Sequence, residues 1–223
     1  MAKKRSGSNP VTGRFVRHET KRATGTRRLR RYYLIVCEGE KTEPFYFEGL
    51  KRDLPPGVLQ VTEIEIAGTG DNTLNLVQKA RTRKKEREQQ TGLPVDRLWV
   101  VFDRDAFPSQ HFNKAIELCE HEGIGCAWSN EAFELWYLLH FQYFDARIDR
   151  RQYLEMLTGH LRKQMGQDFR YEKNNPDFYR LLKTYGNLEQ AIAHASRLSA
   201  LYEDRRDFAD HTLVPKFICW SGN

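Results

Sequence analysis

Tyr32 to Cys37 reads YYLIVC and runs into Glu38-Gly39; Leu98 to Phe102 reads LWVVF and runs into Asp103-Arg104-Asp105. Both are short apolar runs without alternation, the pattern of strands covered on two faces, as in a parallel sheet. Each ends at an acid. Between them, Thr42 can cap a helix with Pro44 in its first turn, where a missing N–H costs nothing, and Phe45, Tyr46 and Phe47 carry that helix to Leu50. Pro55-Pro56-Gly57 breaks the chain, and Val58 to Ile66 supplies another strand. A turn at Gly68, Gly70 and Asp71 then leads to a long helix, opened by Asn72 or Thr73 and reaching Gln90.

Beyond the Asp-x-Asp, Phe112 to Glu122 reads as a helix with Phe112, Ala115, Ile116 and Cys119 on one face, and Ile124 to Trp128 as a further strand. Ser129 or Asn130 can cap the next helix, Ala132 to His140. From Asp145 the pattern is helical and more polar: Arg151 to Met165, Asp177 to Tyr185 and Leu188 to Arg206. Strands alternating with helices predict an α/β fold, a parallel sheet with helices on both faces, over 31–144. A helical C-terminal extension, 145–223, follows.

Residues 1–30 show no apolar periodicity and read as a disordered basic arm. The first 31 residues hold eleven Lys or Arg and a single acid, Glu19, and the whole chain carries +6. Such an arm is either a solvated tail or a contact for nucleic acid, since phosphate binding needs little beyond mobile positive charge. A second basic stretch, Lys79, Arg81, Arg83, Lys84, Lys85 and Arg87, lies on the long helix and reads first as a solvated face. The apolar runs, roughly six residues at most, fall far short of the roughly 20 needed to span a bilayer, so no membrane partner is expected. Cys37, Cys119, Cys126 and Cys219 form no CxxC and no zinc-finger spacing. With no signal peptide, they point to reduced thiols in a cytoplasm.

The chemistry lies in the acids. Glu38 ends the first buried strand, and Asp103 and Asp105 end the third. The functional crevice of an open parallel sheet lies beyond the carboxyl ends of its strands, so three carboxylates converge there if the two strands are neighbours. Asp103 and Asp105, two apart in extended backbone, point the same way. Clustered carboxylates repel one another unless something positive sits among them, and a hard, oxygen-preferring cation such as Mg²⁺ or Mn²⁺ meets that need. One carboxylate at a strand end is a helix cap or surface acid; the combination of Glu38 with Asp-x-Asp is what points to metal. Gly39-Glu40-Lys41-Thr42 lacks the glycine spacing of a P-loop, which removes that route to nucleoside triphosphate binding. His140 and His111 have no partner at metal-ligand spacing and read as structural.

LIVCEGEKTEPFYF followed by WVVFDRDAF resembles the Toprim domain, whose strands end in Glu-Gly and in Asp-x-Asp. A third block, Ser129-Asn130-Glu131-Ala132-Phe133-Glu134-Leu135-Trp136-Tyr137-Leu138-Leu139-His140-Phe141, brings the chain closer to the RloB-like family, a Toprim-related group associated with bacterial restriction and phage-defence loci. That family usually has Pro where Glu131 stands here. The resemblance implies that Glu38 is a metal ligand or general acid/base and that Asp103 and Asp105 hold Mg²⁺ (or Mn²⁺). It makes Glu43 a candidate ligand for a second ion. Glu134 is either a further ligand or a helix-surface acid. Lys41 and Arg104 are either contacts to the scissile phosphate or members of surface salt bridges. Ser129 and Asn130 are caps first and substrate contacts second.

The activity expected is metal-dependent hydrolysis of DNA or RNA phosphodiester bonds, in an effector of phage defence. The chain is too short for a topoisomerase gate. Two other classes stand beside it. One is a metal-binding effector module activated by an ATPase from the same locus. The other is a small-substrate phosphatase, in which Asp103 would be the nucleophile and Glu38 would have no required role. Oligomeric state is left open, a homo-oligomer included.

Overall fold

The computed structural model describes residues 31–55, 62–68, 73–104, 108–129, 131–146, 148–201 and 208. The basic arm, Asp105, Asn130 and most of the tail lie outside them, as do the side chains of 62–65, 67, 68, 73 and 74.

Four strands form one sheet: β1 (Arg31–Cys37), β2 (Thr62–Gly68), β3 (Arg97–Asp103) and β4 (Gly125–Ser129), in the order β2-β1-β3-β4. All neighbours run parallel; Cys37 faces Gly68 on one side and Val101 on the other, and Asp103 faces Ser129. The two continuous apolar runs thus become the two central strands, covered on both faces as their lack of alternation requires. Side chains alternate between faces. Tyr32, Leu34 and Val36 of β1 and Leu98, Val100 and Phe102 of β3 enter one apolar cluster; Ile35, Cys37 and Val101 enter the other.

The helices are α1 (Thr42–Asp53), α2 (Thr73–Thr91), α3 (Ser109–Glu122), α4 (Glu134–Leu139), α5 (Arg150–Met165), α6 (Phe178–Tyr185) and α7 (Leu188–Ala200). Connections between parallel strands are right-handed, which sorts the crossover helices. The step from β1 to β2 runs opposite to the steps from β2 to β3 and from β3 to β4. Accordingly α1 lies on one face, while α2 (Leu76, Val77, Ala80) and α3 (Phe112, Ala115, Ile116, Cys119) share the other. One helix does not cover a face. The α1 face is completed from the C-terminal side: Tyr137, Leu157, Leu182 and Ala195, from α4 to α7, join the same cluster as Ile35 and Val101. α4 is buried at every position, its acid Glu134 included.

Three expectations about helix starts are corrected. Thr42 is the first helical residue of α1, Lys41 holds the cap position without a side-chain bond, and the Thr42 hydroxyl donates instead to Asn174 Oδ1 at 2.8 Å. Ser129 is the last residue of β4 and caps nothing; α4 starts at Glu134 behind Phe133. α5 begins at Arg150, set by a capping box between Asp149 and Gln152. His140 sits in the core, as read, with both ring nitrogens buried and free of hydrogen bonds among the described residues. Burial lowers its pKa to about 4. Among the described residues no helix is long and apolar enough to cross a membrane.

Candidate functional site

The strand order reverses between β1 and β3, and at such a switch point the carboxyl ends of neighbouring strands leave a crevice. Glu38 and Asp103 stand at that point. The Glu38 N–H donates to Val101 O at 2.8 Å, extending the β1–β3 ladder by one residue. The Glu38 carboxylate turns back over the neighbouring strand, where Oε2 accepts the Asp103 N–H at 2.9 Å. The two motifs therefore share a hydrogen bond.

Two more acids close in. Glu43 rides on the first turn of α1 and Glu134 opens α4. Relative exposures are 8% for Glu38, 9% for Asp103, 4% for Glu43 and 1% for Glu134, so none is a solvated surface acid. For Glu134, the helix-surface alternative is ruled out. Burial first, then the charges of Glu43 and Glu134, hold the Asp103 carboxyl well above its ordinary value; Arg150 opposes this and Glu38 adds to it. Glu43 is raised by burial and by Glu134, against its own backbone hydrogen bond and the positive charges of Lys173 and Arg150.

The glycine after Glu38 has a spatial reason. A methyl group on Gly39 would run into the Glu43 carboxyl, so the Glu-Gly pair lets the first turn of α1 bring its acid against the end of β1.

The helical extension supplies a further wall. Arg150 Nη2 lies 3.7 Å from Asp103 Oδ2. The Tyr171 hydroxyl donates to Glu134 Oε1 at 3.3 Å. Asn174, held at φ 64°, receives the Thr42 hydroxyl, and the Tyr137 hydroxyl donates to Thr42 O at 3.2 Å. None of Arg150, Tyr171 or Asn174 was among the residues read from the sequence.

The remaining candidates divide. Ser129 is buried beside Asp103, its carbonyl accepting the Arg104 N–H at 2.8 Å. The Arg104 guanidinium donates to Ser109 Oγ at 3.2 Å, and Lys41 is exposed at the head of α1. Asp105 and Asn130 lie outside the described residues. The basic half of α2 lies at the other edge of the sheet. Arg87 stacks over Tyr32 near the start of β1, and Glu88 Oε1 accepts the Val95 N–H just before β3. Part of its charge is matched locally, by Arg81–Glu122 at 3.1 Å and Lys84–Glu88 at 4.0 Å.

Among the described residues no group of three or more His, Cys, Asp or Glu is set to hold a metal ion. Four buried carboxylates line the crevice, and Asp103 Oδ1 is buried with no hydrogen bond among the described residues.

These features define a parallel α/β protein with an acid-lined crevice at the carboxyl edge of its two central strands. The chain belongs to the RloB-like family, whose model, described as "RloB-like protein", matches residues 33–219. No curated protein and no solved structure matches it.

Proposed function

We propose that the chain is an Mg²⁺-dependent nuclease, hydrolysing phosphodiester bonds of DNA or RNA as the effector of a bacterial phage-defence system. The observation that carries this reading is the Glu38–Asp103 pair, two buried acids from neighbouring parallel strands joined through the Asp103 N–H at the switch point. The likeness of both motifs to the Toprim pattern, and the association of the family with restriction and defence loci, support it further.

Glu38, Asp103 and Asp105 would hold the ion, with Glu43 and Glu134 available to a second. When bound, such an ion supplies positive charge at the phosphate and eases deprotonation of water. Where Glu38 serves as base instead of ligand, it takes the proton of the attacking water while that water's oxygen bonds to phosphorus. The P–O bond to the leaving group breaks, and the proton passes to the leaving oxygen. The walls of α1, α4 and the 171–174 loop keep the acids out of bulk water, which strengthens every charge interaction among them. The basic arm would add affinity for the nucleic-acid backbone that falls steeply with salt.

A second reading, an effector that acts only with an ATPase partner, is favoured by one observation: Asp103 is already engaged by Arg150.

The test is cleavage of plasmid DNA, single-stranded DNA and total tRNA with Mg²⁺, Mn²⁺ or EDTA, beside the Asp103→Asn/Asp105→Asn double variant. Cutting that needs metal and is lost in the variant is the expected result. A folded, metal-binding protein that cuts nothing alone would move the reading to the partner-activated effector.

A further inference from the structure

We propose that the groove between the basic half of α2 and the amino end of β3 holds the sugar-phosphate backbone of a nucleic acid, at the edge of the sheet away from the acids. This deepens the nuclease reading by naming a surface for its substrate, and rests on that reading for the identity of the occupant.

The second half of α2 is not held as the first half is. Its core contacts, Leu76, Val77 and Ala80, stop near the middle, and from Arg81 to Thr91 the helix has no apolar residue. Such a stretch gains nothing from core packing, the usual source of helix stability in a folded protein. Polar contacts take its place. The Arg87 guanidinium lies 4.8 Å from the centre of the Tyr32 ring, and Glu88 Oε1 accepts the Val95 N–H at 2.9 Å. The helix is thereby fixed beside β3, where Arg81, Lys84, Lys85 and Arg97 line a groove of about 270 Å³.

The acids along that groove are already engaged. Asp96 Oδ2 accepts the Tyr32 N–H at 2.6 Å, Glu122 Oε2 pairs with Arg81 Nε at 3.1 Å, and Glu88 holds Val95. Lys85 and Arg97 are exposed, and among the described residues neither has an ion pair. Lys85 also stands one turn after Arg81 on the same helix face, a spacing at which like charges repel. An anion in the groove relieves that repulsion.

The surroundings select a chain of phosphates over a single one. Residue 30 joins β1 at Arg31, next to the Tyr32 that bonds Asp96, and the first 31 residues hold eleven Lys or Arg against one acid. Exposed cations that lead into a basic segment suit a polyanion, whose binding rests on neutralised phosphates and released counterions. Arg97 opens β3 and Asp103 ends it, about 20 Å away along an extended strand. The groove therefore grips phosphates remote from the one at the acids.

The experiment measures binding of the full chain to labelled single-stranded DNA and RNA of one sequence, in EDTA, across a salt series. Wild type is compared with Lys85→Gln/Arg97→Gln and with Arg52→Gln/Lys163→Gln, which removes the same charge from exposed positions outside the groove. The groove variant should bind about tenfold more weakly, and its slope of log K against log salt should be smaller by about 1.4, the loss of two phosphate contacts on a single strand. The control variant should bind much as wild type does. Equal losses in both variants would assign the affinity to diffuse net charge and overturn the groove; so would a groove variant that binds like wild type. Poly-glutamate displacing the strand as well as unlabelled nucleic acid of equal charge would overturn the nucleic-acid assignment in favour of an acidic protein. If wild type cuts nucleic acid with metal while the groove variant keeps its affinity, only this inference falls; a wild type that neither binds nor cuts takes the nuclease reading with it.

Discussion

The backbone N–H of Asp103 donates to Oε2 of Glu38 across 2.9 Å, so one acidic motif holds the backbone of the other. Glu38 is part of the scaffold of the site as well as a candidate reactive group, and its variants separate the two roles. Glu38→Gln keeps an oxygen that can accept the Asp103 N–H; Glu38→Ala leaves that buried donor unmet, at a cost of about 1–3 kcal/mol. Urea melts should show Glu38→Ala clearly weakened and Glu38→Gln close to wild type, with nucleic-acid cleavage lost in both. Cleavage retained in Glu38→Gln would favour phosphatase-like chemistry centred on Asp103.

Gly39→Ala should leave the fold nearly untouched and disturb the site, because the three atoms nearest the added methyl all belong to the Glu43 carboxyl. The expected pattern is a melting temperature near wild type with cleavage reduced severalfold. In a Glu43→Ala background the same substitution should do nothing more, since neighbouring residues that act through one contact are not additive. An equal loss in both backgrounds would place the effect elsewhere.

Tyr171→Phe removes the hydroxyl that donates to Glu134 Oε1 and changes little else in volume. Depriving a buried carboxylate of a donor costs about 1–3 kcal/mol. Thermal melts check this, and a variant as stable as wild type would show that Glu134 does not depend on the extension.

His140 gives a pH dependence with a definite sign. Its folded pKa of about 4 lies below the ordinary 6.5, so between those values the unfolded chain binds more protons and stability falls with falling pH. The full loss from this group is about 3 kcal/mol, reached as pH drops through the folded value. Asp103 and Glu43, both raised, act in the opposite sense as pH falls from their folded values. His140→Phe keeps a ring against Trp136 and should remove stability loss between pH 6.5 and 4. An unchanged slope in urea melts across that range would assign the acid sensitivity to other groups.

What the sequence made legible follows from range. Continuous apolar runs located β1 and β3 to within a residue because burial on two faces leaves no other composition, and the acids at their ends could be paired once the strands were taken as neighbours. Helix faces such as Phe112, Ala115, Ile116 and Cys119 were equally plain. Failures came where a local rule lost to a distant partner. Thr42 looked like a cap and instead bonds Asn174; Ser129 had capping chemistry but is held in register with Asp103. Arg150 and Tyr171 were invisible because a tertiary contact across tens of residues leaves no periodic mark.

The order in which the crevice acquires its parts has a consequence for a chain emerging from a ribosome. Glu38 appears early, its hydrogen-bond partner is 65 residues later, and the Tyr171 that donates to Glu134 comes later still. Long-range parallel pairing of this kind forms slowly and only when both strands are available. A nascent fragment ending before α5 lacks Arg150 and Tyr171 as well as most of the cover over one face of the sheet. The acids of such a fragment would stand open to water. On the nuclease reading, chain order alone would delay completion of the crevice until most of the chain has been made.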